Sequence, residues 1–133
     1  MLHLLLRHET RIWTVLAVAL WMVIAILSLL PGSERPHTGY SGNLEHVAAY
    51  LGAATVTALA FRAVPLLWLV LPFSIASAVF EVVQLAIPGR TSLVENWAAS
   101  TLGALIGVLA ARRVARPLLD RLIAAIAAPA ARG

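Results

Sequence analysis

The chain has no cysteine and no lysine. Without cysteine there is no disulfide scaffold, no thiolate metal site and no cysteine nucleophile, and nothing is said about redox compartment. Charge is scarce as well: Asp, Glu, Lys and Arg make up 12% of the 133 residues, against 61% hydrophobic ones, and mean hydropathy is +0.89. A soluble domain carries about 25% charged residues, so the pattern excludes an ordinary soluble protein and puts a bilayer in place of the buried core. At about 20 residues per span, the apolar stock furnishes roughly four spans. The ten basic residues, all arginines, outweigh six acidic ones and give a net charge of +4. They punctuate apolar runs instead of forming a stripe, which is the pattern of membrane-protein loops and speaks against nucleic-acid binding. The four histidines, His3, His8, His37 and His46, are spread over a leading segment, a loop and the start of the second apolar run. That scatter supplies no set of three or four ligands, so neither a metal nor another cofactor is expected.

Four apolar runs predict four membrane-spanning helices, over residues 12–30, 44–61, 66–87 and 93–111, after a basic lead at 1–11. The first run is too long for a signal-peptide core and lacks a small-residue cleavage site, so it reads as a retained anchor. Pro31, Gly32, Pro36, Gly39 and Gly42 break the segment that follows. Asn43 is the expected cap of the second helix, and Ser92 with Glu95 forms the sequence of a capping box for the fourth. Beyond it, Ala115, Leu118, Leu119, Leu122, Ile123 and Ile126 recur at helical spacing, predicting an amphipathic tail over 112–133 that can lie along the membrane surface. The expected fold is therefore all-α, an integral membrane four-helix bundle with an amphipathic helical tail. Four spans put both termini on one side, which then holds eight arginines against Arg35 and Arg90 on the other. The positive-inside rule makes the eight-arginine side cytoplasmic, with the 31–43 loop and 88–92 turn outward.

Polar residues inside spans are expensive and therefore informative. Ser74, Ser77, Glu81 and Gln84 are spaced by three, four and three residues, which stacks them on one helix face. A carboxylate such as Glu81 costs about 2.5–3.5 kcal/mol at mid-span, so it must face protein or water. The second helix offers His46, Tyr50, Ala53 and Thr57 on a matching face. At 1.5 Å per residue, Tyr50 and Glu81 each lie about 9 Å inside their helix ends and Ser100 about 10 Å inside the fourth, so the three can share a pocket. Arg90 stands in the short turn above, where a guanidinium can grip phosphate or carboxylate in bidentate fashion. Plainer readings stand beside these: an interhelical hydrogen bond for Glu81, a hydrogen-bonded interfacial histidine for His46, an interface anchor for Arg90. Glu45 and Glu95 are explained by the favourable field at helix N-termini. Gly52, Gly103 and Gly107 are assigned to helix packing, and the Gly103–Gly107 groove serves a neighbour in the same chain or in another copy, leaving a homo-oligomer open.

Taken together, the run Asn43-Leu44-Glu45-His46-Val47-Ala48-Ala49-Tyr50-Leu51-Gly52, then Glu81-Val82-Val83-Gln84 and Pro88-Gly89-Arg90, then 96–107, resembles the VanZ-like family of small membrane proteins. His46, Tyr50, Glu81, Gln84, Arg90, Gly103 and Gly107 match the family pattern residue for residue. Asn96 stands where the family usually has Asp, and Ser100 where it has Asn, so no carboxylate role is carried to the first and no amide role to the second. The resemblance implies a bacterial cytoplasmic-membrane protein connected with resistance to teicoplanin, a lipoglycopeptide that binds cell-wall precursors. Three functions follow as expectations. The first is an outward-facing pocket of His46, Tyr50, Glu81, Gln84, Arg90, Asn96 and Ser100 that binds a membrane lipid or a lipid-linked cell-wall precursor. The second is a small structural or assembly subunit. The third is an enzyme using His46 and Glu81 as acid/base partners on a lipid head group.

Overall fold

The structure, a computed structural model, describes residues 2–36 and 38–127 and contains only helices and irregular connections among them. Helix α1 is Leu2–Leu29, α2 Gly42–Ala60, α3 Leu66–Gln84 and α4 Val94–Ala110; a π turn, Ala111–Ala115, joins α4 to α5, Arg116–Ala127. Because α4, the π turn and α5 follow without a break, the architecture is four rods. The lead expected at 1–11 is already helical from Leu2, since no proline or glycine interrupts the chain before Pro31. At the other end of the chain, the expected tail is helical to Ala127, and residues 128–133 lie outside the described ones.

Glu9–Leu29, Leu66–Gln84 and Val94–Ile126 are long and apolar enough to cross a membrane. Helix α2 does not meet that measure. It is the central helix, packed on α1, α3 and α4, with Tyr50, Ala53, Ala54, Thr57, Ala58, Leu59 and Ala60 buried. A helix packed against three others needs small side chains that let its neighbours approach, more than it needs lipid solubility. The large apolar residues that remain exposed, among them Val15 and Met22 of α1 and Trp68 and Ile75 of α3, form the lipid-compatible exterior.

The closest approach is between α2 and α4. A Cβ added at Gly103 would lie 2.5 Å from the Val47 carbonyl oxygen, and one at Gly107 would lie 2.4 Å from that of Leu51. The glycine groove therefore serves a neighbour within the same chain, and the Thr55 hydroxyl closes the seam by donating to the Leu51 and Gly107 carbonyls at 2.8 and 3.1 Å. Gly52 corrects the expectation: a Cβ there would meet nothing within 4 Å. Val47 and Leu51, four residues apart, define the face of α2 that meets α4, and Gly52 lies about 100° around the helix from Leu51.

Caps also differ from expectation. The α2 cap is Ser41, whose hydroxyl accepts from the Leu44 N–H at 3.4 Å, so the helix starts ahead of Asn43. At α4 the capping box does not form; the cap residue is Leu93, with no side-chain bond of its own. Helix α3 ends at Gln84, and tight turns carry the chain on through Ile87.

One contact joins the two loops at the end of the bundle away from Glu9 and α5. The Gly32 N–H donates to the Pro88 carbonyl at 3.0 Å, and a Cβ at Gly32 would sit 2.0 Å from the Gly89 oxygen. Gly89 has φ +71°, a backbone that side-chain-bearing residues rarely adopt. Only glycine at both positions lets the 30–41 loop lie on the 85–93 turn, bringing Arg35 and Arg90 over the same end. The opposite end is closed by charge: Arg62 pairs with Glu9 and, at 3.1 Å, with Asp120 of α5.

Candidate functional site

The polar stripe on α3 divides among three tasks. Ser74 belongs to the α3–α4 seam, where its hydroxyl bonds that of Thr101 at 2.9 Å and accepts from the Trp97 indole at 3.1 Å. Gln84, almost wholly buried, reaches to α1 and donates from Nε2 to the Ser28 carbonyl at 2.8 Å, while its Oε1 meets no donor among the described residues. It clamps α1 to α3 and lines neither of the cavities described below, so its place in the pocket is not seen. Ser77 and Glu81 do face inward.

Glu81 accepts the Leu93 backbone N–H at 2.8 Å through Oε2. This is the bond to the cap residue that a capping-box glutamate would make, supplied here by another helix. The N-terminus of a helix carries unpaired N–H groups and partial positive charge, so a buried carboxylate is stabilised there. Glu81 also lies within electrostatic reach of His46, Tyr50 and Arg90. Ser100, fully buried, is the hub below it: His46 Nδ1 lies 3.1 Å from its hydroxyl, and the Tyr50 hydroxyl interacts with Ser77 and Ser100. Three helices thus bring His46, Tyr50, Ser77, Glu81 and Ser100 together. Thr57 stays out, bonded to Ala53 of its own helix at 2.8 Å.

Two cavities reach this cluster at His46, which lines both, and Tyr50, which lines one; Ser77, Glu81 and Ser100 lie behind them and line neither, so Glu81 and Ser100, like Gln84, are not seen in the pocket wall. A polar chamber of about 260 Å³ is lined by Arg35, His46, Arg90, Thr91 and Asn96 together with the small residues Gly32, Gly42 and Gly89. An apolar cleft of about 640 Å³ runs between α1 and α2, walled by Leu20, Val23, Ile24 and Leu27 on one side and Leu44 and Ala48 on the other. Arg35, His46 and Arg90 line both. Arg35 forms an ion pair with Glu45, whose other oxygen accepts from the Thr38 hydroxyl. Arg90 is treated differently. Burial, then the nearby Arg35 charge, lowers its pKa below the ordinary guanidinium value against the opposing pull of Glu81, and its buried Nη1 meets no acceptor among the described residues.

Arg35 and Glu45 are the residues the sequence reading missed. Arg35 sits in a segment whose prolines and glycines say only that it is irregular, and the Gly32–Gly89 contact that swings it over the site involves residues far apart in sequence. Glu45 does stand in the first turn of α2, but it is also the partner of Arg35. Among the described residues no group of three or more His, Cys, Asp or Glu is placed to hold a metal ion; the side chains of His3, His8 and His37 lie outside the described ones.

A bundle with three helices fit to cross a bilayer, an apolar exterior and buried polar groups gathered at one end defines a helical membrane protein. Residues 2–116 match the family VanZ/LLP1, and the chain belongs to that family. The match extends well beyond the motif region of 43–107, taking in α1, the loop with Arg35 and the π turn. Neither a curated protein nor a solved structure matches the chain.

Proposed function

We propose that this VanZ-family protein spans the bacterial cytoplasmic membrane four times with both termini inside, and that its outward-facing pocket binds an envelope lipid or a lipid-linked cell-wall precursor. The observation that carries this reading is the joining of a polar chamber to an apolar cleft at two guanidinium groups and His46. A lipid is amphipathic in the same sense, with an anionic head to meet arginine and a chain to lie between helices. Binding is favoured over catalysis because Glu81, the acid/base partner that His46 would need, is buried, holds the Leu93 N–H and lines neither cavity. Through the bound lipid the protein changes susceptibility to lipoglycopeptides.

Topology is tested by single-cysteine labelling on the cysteine-free background: Ser33→Cys and Thr91→Cys react from outside, and Ala63→Cys only once the inner face is opened. The reverse pattern overturns the arrangement. Function is tested by overproducing the protein and measuring teicoplanin susceptibility and cell-surface binding, with vancomycin, which has no lipid tail, as control. A change confined to teicoplanin and abolished by Arg90→Ala supports the reading. Equal shifts for both antibiotics, or none for either with the protein present in the membrane, reject it.

A further inference from the structure

Arg35 and Arg90 overlook the same opening, yet their circumstances differ. Arg35 is engaged by Glu45, which is held in turn by Thr38. Arg90 is repelled by Arg35, attracted by Glu81 and has a buried N–H without an acceptor. One oxygen of Glu81 is committed to the Leu93 N–H, and Arg90 Nη1 meets no acceptor among the described residues. The anion that suits this pair must therefore answer two cations and displace a carboxylate. A monoanion at Arg35 exchanges like for like with Glu45 and leaves Arg90 as it was. A terminal phosphate carries about −1.5 to −2 charges near neutral pH and three acceptor oxygens, enough to satisfy two forks at once.

The apolar cleft narrows the choice of carrier. Its walls include Val23, Leu27, Leu44 and Ala48, all exposed along the α1–α2 flank. A hydrocarbon chain can enter there sideways from the bilayer while its head stays under the 30–41 loop. Resting on the lipid-binding reading above, we infer that the ligand is a lipid with a terminal phosphate that bridges Arg35 and Arg90, its chain in the α1–α2 cleft. Glu45 is then a built-in competitor: Arg35 exchanges the Glu45 carboxylate for the phosphate on binding, and the strength of that internal pair sets the affinity.

The test uses the full chain purified in maltoside micelles, with dodecyl phosphate as probe and laurate and inorganic phosphate as comparators, binding being followed by calorimetry. Dodecyl phosphate binds at least tenfold more tightly than laurate, and inorganic phosphate at the same concentrations does not bind. Glu45→Gln, which keeps size and an acceptor for Thr38, tightens dodecyl phosphate binding about tenfold. Arg35→Lys keeps the charge but loses the fork and weakens binding about tenfold, and in the double variant Glu45→Gln no longer tightens it. Melting temperatures in the same detergent identify any variant that has lost its fold, and Arg35→Lys then serves where Glu45→Gln does not. Unchanged or weaker binding by folded Glu45→Gln overturns the exchange. Equal binding of laurate and dodecyl phosphate overturns the terminal-phosphate assignment while lipid binding stands. Inorganic phosphate binding as tightly as dodecyl phosphate overturns the chain subsite, and failure of every amphiphile overturns the lipid-binding reading itself.

Discussion

The two ends of the bundle use arginine in opposite ways. At the end where Glu9, Arg62 and α5 meet, Arg62 holds Glu9 and Asp120, Arg112 donates to the Val64 carbonyl and Arg116 donates to that of Arg62 at 3.4 Å. At the other end, Arg35 and Arg90 border cavities and Arg90 has an unanswered N–H. One residue type thus ties elements together at one end and borders cavities at the other. The difference lies in supply: helices and turns converge with carboxylates and carbonyls around Arg62, whereas beside Arg90 stand a second arginine, paired with Glu45 of α2, and Glu81 of α3, which holds the Leu93 N–H.

The largest expected effect comes from breaking the seam on which both ends hang. Gly107→Leu drives a side chain into the Leu51 carbonyl, already 2.4 Å from the Cβ position. Overpacking costs about 1–3 kcal/mol where side chains can shift, and backbone cannot, so little folded protein is expected on size-exclusion chromatography. Next is Glu81. Glu81→Ala removes the acceptor of the part-buried Leu93 N–H, a loss of about 0.5–1.5 kcal/mol visible as a lowered melting temperature. Glu81→Gln keeps an acceptor, holds the fold and separates charge from packing. Loss of function with normal protein levels is expected; full activity in both Glu81→Gln and Arg90→Ala instead favours the structural-subunit reading.

The comparison itself is sharpened by Arg62→Ala against Arg90→Ala. Partly exposed ion pairs contribute up to about 1 kcal/mol each, so Arg62→Ala lowers the melting temperature and spares the antibiotic phenotype. Arg90→Ala leaves stability nearly unchanged and abolishes the phenotype. If both variants behave alike, the two ends are not distinct in role. The smallest effect belongs to Gly52→Ala, where open space and helical backbone predict a gain of about 0.5–1 kcal/mol in thermal unfolding.

Much of this was legible in the order of residues. Apolar run lengths give the helices because a bilayer sets the length of a span, and Gly103-x-x-x-Gly107 gives the seam because only a missing side chain permits that approach. His46, Tyr50, Glu81 and Ser100 were legible as a group because depth along a helix is arithmetic. Polarity and spacing were less informative where a partner decides the outcome. Ser74 and Gln84 share a face with Glu81, yet one bonds Trp97 and Thr101 and the other Ser28. Ser92 and Glu95 have capping-box spacing, yet a carboxylate from α3 takes the bond.

By itself, then, the sequence determined the membrane class, the number of helical rods and the positions of the polar groups along them, all of which depend on local periodicity and on the lengths of apolar runs. Tertiary structure decided which helix is central, that α2 can be the least lipid-like of the four because three helices pack on it, and that Glu81 caps α4. It also decided that Arg35 stands beside Arg90. That last juxtaposition rests on Gly32 lying against Gly89, a contact between loops separated by two helices, and no local pattern encodes a contact whose cause is the absence of two side chains at distant positions.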